Sequence, residues 1–125
     1  MIQTSSRLRW LLAALVAALI IAALEQWAVA DFLYWRYVWF DVPMHFLGGL
    51  TIALSLVALS GSRFRPYAFI TCMVLVAVGW EVFEVIIGSP QKANYVLDTS
   101  LDLLMDTLGA SLIYLIARYS VWRSA

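Results

Sequence analysis

The sequence predicts an all-α fold: a polytopic membrane protein of one integral domain over residues 1–125, with four transmembrane helices forming a bundle built as two helical hairpins. Three observations point there. First, 64% of the 125 residues are hydrophobic and 13% charged, with mean hydropathy +0.88. A soluble domain carries about 45–50% apolar and about 25% charged residues. Second, four apolar stretches are each long enough to cross about 30 Å of hydrocarbon. Third, the connections, at about residues 31–41, 61–67 and 88–98, are too short to hold a further domain.

The first helix is expected over about residues 10–30, with an unbroken apolar core ending at Leu24. Arg7 and Arg9 before it and Ala28-Val29-Ala30 at its end also fit a secretory signal with an A-x-A cleavage site; an uncleaved helix is the expectation. The second is expected over about 42–60. Asp41 precedes Val42-Pro43 there, as a helix N-cap would, and is equally a candidate for the polar site. The third is expected over about 68–87. It contains Cys72, which has no second cysteine to pair with and is expected to pack within the apolar run. The fourth is expected over about 98–118. It is the least apolar, because Asp102 and Asp106 interrupt it, and Asp98 with Thr99 is expected to cap its start.

Net charge is zero, which removes the electrostatic case for nucleic acid as a partner. The bilayer is the partner the composition requires. Arg7, Arg9, Arg63, Arg65, Arg118 and Arg123 fall at one end of the threaded bundle, against only Arg36 and Lys92 at the other. The positive-inside rule therefore places both termini in the cytoplasm and the first and third connections outside. Aromatic residues agree, with Trp27, Tyr34, Trp35, Tyr37 and Trp39 as an outer belt and Trp10, Tyr67, Tyr119 and Trp122 as an inner one.

All eight acidic residues and the single histidine, His45, fall towards the outer end. At a rise of about 1.5 Å per residue, His45 lies about 6 Å inside Asp41, and Asp102 and Asp106 lie about 6 and 12 Å beyond Asp98. Glu81 and Glu84 occupy the outer third of the third helix. Helical phase also gathers them: at about 100° per residue, Asp98, Asp102 and Asp106 span about 80°, Glu81 and Glu84 about 60°, and Asp41 and His45 about 40°. Gly48, Gly49 and Gly109 fall on or beside these faces, where small residues let helices approach closely. The second and fourth helices share the pattern D-x-x-M-[HD]-x-L-G, as Asp41 to Gly48 and Asp102 to Gly109. The chain thus reads as a parallel repeat of hairpins in which His45 and Asp106 are equivalent positions facing a shared axis.

An Asp at the centre of a membrane helix costs about 2.5–3.5 kcal/mol on insertion scales. Three arrangements offset that cost here: carboxyl groups that share protons, a bound divalent metal, or Arg36 and Lys92 folding in from the connections. The metal reading is preferred, because carboxylates and an imidazole projecting inward from facing helices are a recurrent metal-binding arrangement. Its candidate ligands are Asp41, His45, Glu81, Glu84, Asp102 and Asp106, with Zn²⁺, Mn²⁺, Mg²⁺ or Fe²⁺ as the cofactor. Glu25 and Asp31 are expected to reach only the outer interface.

The pattern Asp41-x-x-x-His45-Phe46-x-Gly48-Gly49, then Trp80-Glu81-x-x-Glu84, then Asp98-x-x-x-Asp102-x-x-x-Asp106-x-x-Gly109 resembles the YjdF-like bacterial inner-membrane proteins. More distantly it resembles the VanZ-like family, associated with glycopeptide resistance. The likeness covers about residues 40–112. It implies a multi-pass protein of the bacterial cytoplasmic (inner) membrane with a polar core, and the VanZ association implies cell-envelope lipids or glycans as a setting.

Three functions are compatible with such a site. One is a metal-dependent enzyme acting on an envelope lipid or lipid-linked substrate, with Glu84 or His45 as general base. Another is a component of cation or proton transport, although the cytoplasmic half of each helix lacks ionisable groups. The last is a metal-stapled accessory or scaffold subunit, a homo-oligomer or the companion of a larger membrane protein, which would use the aromatics from Tyr34 to Phe40.

Overall fold

The structure, a computed structural model, describes residues 2–61, 63, 65–88 and 94–123. They form five helices in chain order: α1 (Ile2–Ala30), α2 (Leu33–Arg36), α3 (Asp41–Ser60), α4 (Pro66–Ile87) and α5 (Tyr95–Tyr119). No strand occurs among the described residues. Four of the helices are long and apolar enough to cross a membrane, as the hydropathy pattern predicts. α1 continues back to Ile2, because a helix need not stop where the hydrocarbon does and its polar first turns extend past it. The short α2 is an addition. It follows a sharp reversal at Phe32, whose φ of 56° is left-handed.

Antiparallel threading gives the bundle an acidic end, where α1 and α4 finish and α3 and α5 begin, and a basic end opposite. α3 and α5 pack most closely, α1 lies along α3, and α4 rests more lightly on α3 and α5. Two glycines explain the closeness of the central pair. A Cβ on Gly49 would lie 2.8 Å from the Asp106 Cα, and one on Gly109 would lie 2.8 Å from the Leu50 nitrogen. Gly48 makes no such approach, so only one of the two adjacent glycines serves this packing.

The buried apolar core fills the basic half: Ala14 of α1, Ala53, Leu54, Val57 and Ala58 of α3, Met73 of α4, and Ala110, Ile113 and Ala117 of α5. Trp122 completes it. Expected at the interface, it is instead 1% exposed. Its indole nitrogen donates to the Gly61 carbonyl at 3.0 Å, and its ring meets Phe69 edge-on at 5.9 Å. Folding the C-terminal turn back under the α3–α4 connection satisfies that indole, as a buried Trp requires. Cys72 is also placed differently from expectation. It lies on the exposed face of α4, where only Met73 and Glu81 are buried.

Candidate metal centre

His45 sits one turn into α3, and three carboxylates surround its ring. Nδ1 lies 3.2 Å from Asp106 Oδ1. Nε2 lies 3.5 Å from Asp41 Oδ1 and 3.7 Å from Asp102 Oδ2. The i,i+4 spacing puts Asp41 on the same face, and the close α3–α5 contact delivers the other two. With Asp106 accepting from Nδ1–H, a neutral His45 would present its Nε2 lone pair towards Asp41 and Asp102, the tautomer that a metal ligand needs. A carboxylate behind a histidine in this way orients it as a metal ligand.

Donor atoms of His45, Glu81, Glu84 and Asp102 lie within 4.8 Å of one another. A second set, Asp41, Asp98 and Asp102, meets the same limit, so Asp102 is common to both. Asp102 is 1% exposed and Glu81 8%. Asp102 Oδ1 is buried with no donor within hydrogen-bond distance, and the buried Thr99 hydroxyl lies beside the Glu81 carboxylate. A buried carboxylate oxygen without a donor is costly, and a cation held between these residues would offset that cost. Ligands about 2.0–2.2 Å from a tetrahedral zinc are about 3.4 Å apart; His45 Nε2 and Asp102 Oδ2 are 3.7 Å apart, and all four donors lie within 4.8 Å of one another. Three carboxylates and one imidazole also suit Mn²⁺ or Fe²⁺, and Mg²⁺ if waters complete its octahedron.

Five of the six ligand candidates, Asp41, His45, Glu81, Glu84 and Asp102, fall in these donor sets; the sixth, Asp106, lies against the far nitrogen of His45. Asp98 joins the second set, which its four-residue spacing from Asp102 allows. Neither Asp41 nor Asp98 is an N-cap. Phe40 occupies that position for α3, and Asn94 caps α5, accepting from the Leu97 amide at 3.1 Å. α5 begins earlier than expected, so Asp98 lies inside its first turn. Arg36 lies over the Tyr37 ring at 5.7 Å, and Lys92 lies outside the described residues.

Two positioning partners were not anticipated. Trp80 donates from its indole to Glu84 Oε1 at 3.0 Å, a contact that i,i+4 spacing makes readable. Tyr34 of α2 donates to Glu25, tying the α1–α3 connection to the end of α1. Burial, then the Glu25 hydrogen bond and charge, push the Tyr34 hydroxyl well above its ordinary range, so it remains a donor. Asp31 accepts from the Trp27 indole at the surface.

Residues 1–123 match the family described as Predicted membrane protein (DUF2238). The chain belongs to that family. The match spans all four membrane helices and every residue of the acid–histidine cluster, so the centre lies wholly within the family's extent. No curated protein and no solved structure matches the chain significantly.

Proposed function

We propose that this protein binds a divalent metal ion in the outer half of the bacterial cytoplasmic membrane, through His45, Glu81, Glu84 and Asp102. The basic end faces the cytoplasm, with both termini there, as the distribution of arginine favours. The observation that supports the reading is the gathering of donor atoms of His45, Glu81, Glu84 and Asp102 within 4.8 Å of one another, around a histidine backed by Asp106 and with Asp102 Oδ1 buried and without a donor. The YjdF-like pattern and the more distant VanZ-like one support an envelope setting by analogy, and hence an enzyme acting on a lipid or lipid-linked phosphate. A metal there would polarise a phosphoryl oxygen and lower the pKa of a bound water. Asp106 fixes the His45 ring and Trp80 fixes Glu84. Asp41, at the mouth of the cluster, is placed to accept a proton alongside Glu84.

Elemental analysis of protein purified in detergent with metal present tests this. Wild type retains stoichiometric metal, Asp31→Asn retains it too, and His45→Ala and Asp102→Asn lose it. A metal-free wild type ends the proposal.

The exposed Trp35, Tyr37 and Trp39 favour a second reading, an accessory subunit docked by its outer aromatics to a membrane partner or to another copy. Cation or proton transport is less well supported, because the basic half of the bundle is an apolar core. Ion flux into liposomes that is equal with wild type and Asp106→Asn would remove it.

A further inference from the structure

A cleft of about 800 Å³ opens beside the acid–histidine cluster, between α1, α3 and α4. It exists because α4 rests only lightly on its neighbours while α1 lies close along α3. His45 and Glu84 stand at its polar end, and Ile21, Ile52, Met73 and Val76 form its apolar length. From Glu84 back to Met73 is roughly eleven residues of helix, or about 16 Å. That is about the depth of one leaflet in a hydrocarbon core of about 30 Å.

Gly48 keeps this space open. It lines the cleft, yet a Cβ there would meet only Ile21 Cδ1, at 3.8 Å. Helix packing therefore does not require glycine at this position, in contrast to Gly49. An open apolar slot one leaflet deep, with a charged group at its interfacial end, matches the amphipathic profile of a lipid. The polar end is acidic and would repel a phosphate unless a cation lay between them.

We propose that this cleft takes one acyl chain of a phospholipid from the leaflet at the acidic end, with the lipid phosphate drawn to His45 and Glu84. The placement of the phosphate rests on the metal reading; the placement of the chain does not. Lipid reaches the centre sideways, from the bilayer, and the apolar walls hold the chain while the headgroup lies among the carboxylates.

The test is photolabelling in vesicles of equal parts phosphatidylethanolamine and phosphatidylglycerol, doped with a phospholipid bearing a diazirine on its acyl chain. Labelled positions are mapped by mass spectrometry, and metal is measured in the same samples. Val76 and Ile52, on facing walls of the cleft, are expected to label several-fold above Leu75 and Ile86, which face the surrounding lipid. Gly48→Phe is expected to abolish that excess without changing Leu75 or Ile86. Val76→Trp, which fills the cleft from the opposite wall, is expected to remove the labelling of Ile52. Uniform labelling, or an excess that survives both substitutions, overturns the chain site. Cleft labelling in protein that holds no metal overturns the metal reading and the phosphate placement, and leaves the chain site standing.

Discussion

Gly49 and Gly109 each sit against the backbone of the other's helix. A Cβ on Gly49 would overlap the Asp106 carbonyl, and one on Gly109 would overlap the Phe46 carbonyl. Each glycine lies three residues after the residue that the other glycine faces: Gly49 after Phe46, and Gly109 after Asp106. This reciprocal approach sets how far α5 stands from α3, and so how far Asp106 stands from His45. The offset of 60 between the glycines differs by one from the D-x-x-M-[HD]-x-L-G alignment, which pairs Gly48 with Gly109. That alignment nevertheless pairs His45 with Asp106, and those two side chains do meet at 3.2 Å.

Gly49→Ala and Gly109→Ala are expected to lower the thermal unfolding midpoint in detergent, since overpacking a tight contact costs about 1–3 kcal/mol. Gly48→Ala should be close to wild type. Comparable losses at positions 48 and 49 would contradict the assignment of the contact to Gly49.

Asp106 and Asp102 should fail differently. On the proposed metal reading, Asp106→Asn leaves the four donors in place but loosens the His45 ring, a change that typically weakens metal affinity about 10–100-fold. Asp102→Asn removes a ligand and is expected to abolish saturable binding. Titration calorimetry on apo-protein separates the two, and equal losses would make Asp106 a ligand rather than an orienting group.

On the proposed metal reading, the buried Asp102 carboxylate burdens the fold of the apo-protein. Asp102→Leu is therefore expected to unfold at a higher temperature than wild type when both are treated with chelator. Addition of metal should raise the wild-type midpoint and leave the variant unmoved. If chelated wild type is the more stable, the site is satisfied without a cation.

The Tyr34–Glu25 bond should persist into alkaline solution. Burial and the Glu25 carboxylate raise the folded Tyr34 hydroxyl. Its contribution is complete below the ordinary tyrosine value of about 10 and is lost only as pH climbs beyond it towards the raised value. At about pH 11, one unit above that ordinary value, wild type and Tyr34→Phe should show the same tyrosinate absorbance. A larger signal from wild type would mean that Tyr34 ionises with the exposed tyrosines.

Trp122→Phe keeps the buried ring but removes the indole donor to the Gly61 carbonyl. Loss of that bond is expected to cost about 1 kcal/mol, read from denaturant or thermal unfolding. An unchanged midpoint would show that water replaces the indole at this end of the bundle.

Much of this was readable without coordinates. Four spans follow from hydropathy, because the bilayer imposes a length on any apolar helix. Antiparallel threading then puts Glu25, Asp41, Glu84 and Asp98 at one end, and helical phase puts His45 on the face of Asp41 and Glu81 near that of Glu84. Hydropathy leaves the helix starts open, because Asn94, which caps α5, and Phe40, at the N-cap position of α3, lie in connections. It also does not decide whether Trp122 meets the interface or the core, or which face of α4 carries Cys72.

By itself, the sequence determined an all-helical membrane protein with its acids and its histidine at one level. Periodicity and length, both local properties, suffice for that. Tertiary structure alone decided which glycine touches which backbone, which nitrogen of His45 meets Asp106, that Asp102 Oδ1 is buried without a donor, and that α4 stands off to leave a cleft. Those depend on the distance and rotation between helices far apart in the chain, which are set by the packing of whole faces and by no single segment.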